Sequence, residues 1–199
     1  MGSSTARPLK VFVITGPSGA GKGTLEQQLL TRLPGRVELA VSATTRPRRP
    51  SEVDGVHYWF KTDEAFDRLV AEEGLLEWVE YVGHRYGTLR SEIDRIQRDG
   101  GVPLLELELD GALTVKNVVP NAVTLFVDAP LEELERRLRE RATESAGEIG
   151  DRIALAREQK ELAPRFDHVV ENDDRERAAG EVVDIVRQEL DDAATMAPR

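Results

Sequence analysis

Apolar positions recur along the chain with two different periods, and the alternation of those periods predicts the architecture. Residues 9–15 form a short run rich in β-branched side chains that stops at Gly16-Pro17, the pattern of a buried strand. Residues 24–33 place Leu25, Leu29 and Leu30 at helical spacing and are closed by Pro34-Gly35, so a helix is expected there. Continued along the chain, the pattern predicts strands over 37–41, 57–60, 76–82, 103–109, 123–127 and 168–170. It predicts helices over 63–73, 89–99, 131–141, 149–162 and 174–190. Strands alternating with helices imply an α/β fold, a parallel sheet covered by helices on both faces. Residues 42–88 break the rhythm with short strands close together and read as an inserted, small β-rich lobe. Residues 143–150 are a polar break between two Arg-bearing helices, the centre of a helical lid expected over 137–152. Segments 1–8 and 191–199 read as flexible ends, which leaves one domain over 9–190.

Composition narrows the chemistry. Against 27 Lys and Arg stand 37 Asp and Glu, a net charge of −10, and there is no cysteine. The missing cysteine excludes disulfide scaffolds, thiolate metal sites and a thiol nucleophile. The acidic balance argues against a nucleic-acid partner. No apolar run approaches the roughly 20 residues of a membrane helix, and Met1–Pro8 is small and polar rather than a signal peptide. A cytoplasmic protein without a membrane partner is expected, a monomer or small homo-oligomer. The basic residues comprise 22 Arg and only 5 Lys. Genome composition accounts for that bias, and so does a need for guanidinium forks on phosphate; position has to decide.

Gly16-Pro17-Ser18-Gly19-Ala20-Gly21-Lys22-Gly23-Thr24 follows the first strand and opens the first helix. In that placement successive backbone N–H groups curl around phosphate oxygens, the helix N-terminus adds positive charge, and Lys22 reaches the β- and γ-phosphates. The hydroxyl that usually follows the lysine as a Mg²⁺ ligand comes one residue later, on Thr24. This Gly-Lys-Gly-Thr form resembles the loop of adenylate-kinase-like nucleoside monophosphate kinases. In them, Mg²⁺ is held mainly by nucleotide phosphates, water and acids elsewhere.

The stretch from Ser42 to Phe60 concentrates Arg46, Arg48 and Arg49 with several hydroxyls and no acid before Glu52. On composition alone it suits a phosphate monoester or a solvated basic loop. Here the chain resembles the guanylate kinase family. The motifs are Ser-x-Thr-Thr-Arg-x-x-Arg from Ser42 to Arg49, Glu52-Val-Asp-Gly55 and Tyr58-x-Phe60. Leu76-Glu77-Trp78, Gly83-His-Arg-Tyr86-Gly87-Thr88, Leu105-Glu106-Leu-Glu108-Leu-Asp110-Gly111-Ala112 and Asn172-Asp173-Asp174 follow in the same order.

The resemblance spans about residues 9–190. It implies ATP-dependent, Mg²⁺-requiring phosphorylation of GMP, and of dGMP, to the diphosphate with release of ADP. It implies a phosphate-loop sheet with a GMP-binding lobe over 42–88. Arg46, Arg49, Tyr58 and Tyr86 would hold the GMP phosphate, and Ser42, Glu77, Thr88 and Glu108 would read guanine. ATP would lie on residues 16–24 and Asn172. Lys22, Arg137, Arg141 and Arg152 would be the catalytic cations, the three arginines closing over the triphosphate.

Without the resemblance, Glu77 and Glu108 read as outward-facing strand residues. The family commonly has Asp-x-Asp-x-Gln where this chain has Glu106-Leu-Glu108-Leu-Asp110. The first two carboxylates are one methylene longer. Glu106 is expected to hold Mg²⁺ through water, while Glu108 reads guanine or helps to place the metal. His84-Arg85 replaces Asn-Tyr. Asp128 is either a second carboxylate near the phosphates or a helix cap. Arg136 and Arg139 are expected to face water and pair with nearby glutamates. His57, His84 and His168 show no metal spacing. Two rivals remain: a related kinase acting on a sugar phosphate such as ribose 1,5-bisphosphate, and a non-catalytic interaction module of the same fold.

Overall fold

The computed structural model describes residues 10–140 and 146–195. Strand β1 (Lys10–Thr15) is buried on both faces, with Phe12 and Ile14 on one side and Val11 and Val13 on the other. That explains its unbroken apolar run, since a strand at the middle of a parallel sheet meets helices above and below. β7 (Val102–Glu106) and β8 (Asn121–Asp128) flank it, and β2 (Val37–Leu39) and β9 (His168–Glu171) form the edges. The order is β2-β7-β1-β8-β9 and every pairing is parallel.

Helices α1 (Lys22–Arg32), α5 (Leu131–Glu140) and α7 (Arg175–Thr195) cover one face, burying Leu25, Leu29, Leu134, Val182 and Val186 against Phe12, Ile14 and Leu125. On the other face α3 (Arg90–Arg98) and α4 (Leu109–Val118) bring Ile96, Ala112 and Val115 onto Val11, Val13, Leu105 and Phe126. Each large side chain so buried contributes roughly 1.5–3 kcal/mol. α6 (Ala146–Glu161) packs beside α5.

The inserted lobe is a second sheet of order β4-β3-β6-β5, built from β3 (Ala43–Thr44), β4 (Trp59–Phe60), β5 (Leu75–Tyr81) and β6 (His84–Leu89). Helix α2 (Asp63–Ala71), capped by the Thr62 hydroxyl on the Ala65 N–H, seats Phe66 on Ala43, Leu75 and Leu89. Arg85 staples this helix to β6: it pairs with Asp63 and Asp67 and lies 4.8 Å over the Phe66 ring. Arg85, one of the two residues that depart from the family pattern, thus ties β6 to α2.

Several elements differ from expectation. β3 and β6 read as loop because they are short or rich in Gly and polar residues. β6 is a strand because β3 and β5 hydrogen-bond to its two edges. α4 has no counterpart in the predicted pattern, because β-branched Thr114, Val115 and Val118 mask the helical period. The parallel strands β7 and β8 require a crossover there, and a helix supplies it. α1 starts at Lys22, two residues early, because Gly21 adopts a left-handed conformation and caps it. α7 runs past residue 190 to Thr195, so 191–195 are helix rather than tail; Leu190 is still buried, and Asp191 pairs with Arg36. The expected ends 1–8 and 196–199 lie outside the described residues, as do 141–145 of the lid, Arg141 among them. Among the described residues no helix is long and apolar enough to cross a membrane.

Candidate active site

The chain leaves the carboxyl end of β1 into residues 16–21 and returns as α1, in the crevice where open α/β sheets bind ligands. Gly16 is required by space as well as by its positive φ of 137°, since a β-carbon there would run into the Val127 carbonyl of β8. Lys22 curls back over the loop and donates from Nζ to the carbonyls of Gly16 at 2.7 Å and Pro17 at 3.3 Å.

Distant cations converge on the same loop. Arg137 donates to the carbonyls of Gly19, Ala20 and Asn172, and its Nε meets Glu133 at 2.7 Å. The Arg152 guanidinium reaches the Ser18 hydroxyl at 3.3 Å. Asn172 is only 3% exposed; its amide donates to the Ala20 carbonyl at 2.6 Å, and its Oδ1 is buried without a partner. Arg136 and Arg139 face outward and pair with Glu133, Glu140 and Glu135, as expected. Ser18, Lys22, Thr24, Gln27 and Glu106 line the cavity over the loop, and Gly23 leaves it open.

A second cavity, entered between the lobe and the main sheet, is lined by Ser42, Tyr58, Glu77, Tyr86, Glu108, Glu106 and Lys22. Lys22 and Glu106 line both cavities, so the two meet at that point. Glu77 is 6% exposed and accepts a 2.7 Å hydrogen bond from the Thr88 hydroxyl. Burial pushes this carboxyl above its ordinary range, with Thr88 opposing part of the rise. Glu108 is also raised, by burial first, with Lys22 opposing and Glu106 and Asp110 adding to it. The rings of Tyr58 and Tyr86 meet edge to face at 6.0 Å, and burial raises the Tyr58 phenol. Thr88 lies behind Glu77 rather than at the surface of the cavity. Arg49 has an exposed side chain and contributes its backbone N–H to the loop.

Four features of the site were not legible in advance. Glu52 folds back onto the arginines. It accepts from Arg46 at 2.7 and 3.1 Å and from the Arg49 N–H at 2.8 Å, and Arg46 pulls its carboxyl down to about 2. Arg46 is thereby clamped against the rings of Tyr58 and Phe60, at 5.5 and 5.7 Å. Glu26, four residues after Lys22 on α1, is buried beside Glu106. Burial pushes its carboxyl above the ordinary range, and the neighbouring Glu106 carboxyl adds to the rise. The helical spacing from Lys22 was the one signal available, and it reads equally as a surface pair. Asp128 takes neither of its two expected roles. It accepts the Ala129 N–H and pairs with Lys160, tying the end of β8 to α6.

The last feature is Gly111, in the first turn of α4. A β-carbon there would stand 2.7 Å from the Glu77 carboxylate, closer than such atoms approach. Gly111→Ala is expected to displace Glu77 and raise KM for the acceptor on the order of tenfold, with KM for ATP little changed. Steady-state kinetics with each substrate varied in turn would measure this.

The guanylate kinase family model matches residues 8–189. A guanylate kinase from Synechococcus sp. (strain CC9311) is 46% identical over 180 residues, covering 90% of this chain and 93% of that relative. The guanylate kinase of Bacillus subtilis (strain 168) is 40% identical over 190 residues, covering 95% and 93%. Among solved structures, the crystal structure of guanylate kinase from Anaplasma phagocytophilum matches with a TM-score of 0.73 at 27% identity, over 92% of this chain and 87% of that one. The matched span contains the phosphate loop, the inserted lobe and Asn172, and by sequence and fold alike the chain belongs to the guanylate kinase family.

Proposed function

We propose that the protein transfers the γ-phosphoryl group of ATP to the phosphate of GMP, and of dGMP, releasing GDP or dGDP and ADP, and that it does so in the cytoplasm on free nucleotides. One observation carries the base assignment: the buried Glu77 carboxylate, hydrogen-bonded by Thr88, opens into the same cavity as Lys22 and the Tyr58–Tyr86 pair. Guanine presents N1–H and N2–H₂ as donors, which a carboxylate accepts, while the Ser42 hydroxyl donates to O6. Adenine presents an acceptor at N1 and no amino group at C2, so the carboxylate would meet no donor from the base. Glu108, in the lining of the same cavity, is a second acceptor for the guanine edge.

At the other end of the acceptor, Arg46, Arg49, Tyr58 and Tyr86 take the phosphate. Glu52 aims the Arg46 fork before the substrate arrives, which lowers the ordering cost on binding. The donor triphosphate lies in the glycine loop, residues 16–24, on backbone N–H groups and the N-terminus of α1. Lys22 has three donors and can keep a loop carbonyl while turning an N–H toward the moving phosphoryl group. Arg137 and Arg152 add charge from the lid side, and Asn172 supports the loop at Ala20. Transfer of this kind asks for in-line positioning, neutralised charge and exclusion of water rather than a protein nucleophile.

The residues present fit Mg²⁺. Thr24 and Glu106 bring hard oxygen donors to the donor cavity, and an ion that keeps most of its waters needs no fuller cage. When bound, Mg²⁺ supplies charge neutralisation at the phosphates. Neither rival is favoured. A sugar-phosphate kinase does not need Ser42, Glu77 and Glu108 on one cavity, and an interaction module does not need an intact glycine loop with its lysine.

A coupled ADP-release assay over GMP, AMP, CMP and UMP tests the proposal. GMP should exceed AMP in kcat/KM by on the order of 10³-fold or more. Preference for AMP or UMP, or no turnover with GMP, would sink it.

A further inference from the structure

The acceptor cavity is shared between two sheets. Ser42 and Glu77 belong to the inserted lobe, whereas Glu108 follows β7 of the main sheet. The angle between lobe and main sheet therefore sets the spacing of the groups that face the base. Two links join them: residues 40–42 on the way into the lobe, and the junction of β6 and α3 at Leu89–Arg90 on the way out. On the way in, the Ala40 N–H still bonds the Leu104 carbonyl of the main sheet at 2.9 Å. Two residues later the Ser42 carbonyl already accepts from the Trp59 N–H of the lobe at 2.8 Å. Val41 lies between, and its N–H turns to a side chain, the Oε2 of Glu92 at 3.3 Å.

Glu92 stands in the first turn of α3, just past the other link, and Ile96 anchors that helix in the main core. An acid at this position of a helix often turns back onto the helix's own N-terminus. This one reaches across to Val41 instead, so one carboxylate ties the way into the lobe to the way out. Glu92 is 7% exposed, a costly place for a charge without partners. Arg95 supplies one: its Nη2 meets the Glu92 carboxylate at 3.1 Å and the Glu38 carboxylate of β2 at 2.7 Å. The tether is thus itself held from the strand that leads into the hinge.

We propose that Glu92 is a positioning residue for the acceptor: by holding the Val41 N–H it fixes the hinge of the lobe, and with it the placement of Ser42 and Glu77 against Glu108. This rests on the reading of those three side chains as the groups that meet guanine. Without the bond the hinge samples more directions, and GMP has to select one of them as it binds. The glycine loop hangs from the main sheet alone, so the donor nucleotide does not feel the hinge.

Calorimetric titration of GMP and of ADP into the full chain, with steady-state kinetics and amide hydrogen exchange, tests this. Glu92→Ala should weaken GMP binding and raise KM for GMP by roughly tenfold, with kcat and ADP affinity within about twofold of the parent. Exchange of the Val41 amide should quicken by about tenfold while the amides of β1 exchange as before. Glu92→Gln keeps an acceptor for the Val41 N–H and should return within about threefold of the parent. Arg95→Met leaves Glu92 in place but unsupported; it should weaken GMP binding in the same direction, and the double variant should be no worse than Glu92→Ala alone. Should the alanine variant fail to fold, Arg95→Met carries the comparison. Unchanged GMP affinity or Val41 exchange in Glu92→Ala, an equal loss of ADP affinity, or a glutamine variant as impaired as the alanine one overturns the inference. A parent protein that does not bind GMP removes the reading of the acceptor site, and the inference with it.

Discussion

Lys22→Ala is expected to lower kcat with ATP and GMP by about 10³-fold or more while KM for GMP changes little. The ammonium sits at the meeting of the donor and acceptor cavities, where charge migrates during transfer. It is worth most in the transition state, so its loss appears in kcat. Its structural role is small: two hydrogen bonds to loop carbonyls, each contributing about 1 kcal/mol. The melting temperature should therefore fall by only a few degrees. Single-turnover measurements with saturating ATP and GMP read the effect directly. Turnover near the parent level would remove Lys22 from the chemistry, whereas an interaction module would show no turnover in either protein.

The second large effect belongs to Glu77. Glu77→Gln should lower kcat/KM for GMP by about 10²–10³-fold, because an amide turns a donor toward guanine donors that now lack a partner. The same change should stabilise the unliganded protein. Burial raises the Glu77 carboxyl above its unfolded value, so the folded state takes up a proton more readily than the unfolded one. The contribution of this group to stability is complete below the unfolded value, near 4.5, and is lost as pH rises through the raised folded value. GMP binding runs the other way. It needs the ionised carboxylate, so KM for GMP should climb as pH falls through the folded value. The glutamine variant should show neither slope. Melting curves and GMP kinetics across pH 4 to 9 compare the two proteins; identical pH profiles would contradict the role of Glu77. A site tuned to accept donors from a base is thus held in the protein at a cost to its empty state.

Charge is where sequence and space part most clearly. The segment from Arg46 to Arg49 has no acid before Glu52, and it reads as a free cationic cluster. In the fold Glu52 closes on Arg46, so the loop carries an internal anion that aims one guanidinium. The arginines of α5 likewise stand four against one glutamate over residues 136–141, yet Arg136 and Arg139 are satisfied by Glu133, Glu135 and Glu140. Arg137 alone among those described turns toward the phosphate loop. By residue spacing Arg137 falls at the edge of the face that carries Leu134 and Leu138, and both leucines are buried. That much followed from a period of 3.6 residues.

What the sequence by itself determined is whatever depends on neighbours in the chain. The glycine loop between strand and helix is of this kind, because phosphate is held by consecutive backbone N–H groups. So is the alternation of strand and helix, because burial on a regular element repeats with that element's period. The guanylate kinase motifs are runs of this sort, and they marked Ser42, Tyr58, Glu77, Tyr86 and Glu108, which the fold brings to one cavity. Tertiary structure alone decided the rest. β6 is a strand because two partners pair with it, and α4 is a helix because parallel neighbours must be joined across a sheet. Gly111 matters because Glu77, thirty-four positions earlier, occupies the space its side chain would fill. Glu26 looks like a surface acid four residues from a lysine until the fold buries it. Burial, and the partner a polar group finds there, depend on which distant segment packs against it, and no local pattern carries that information.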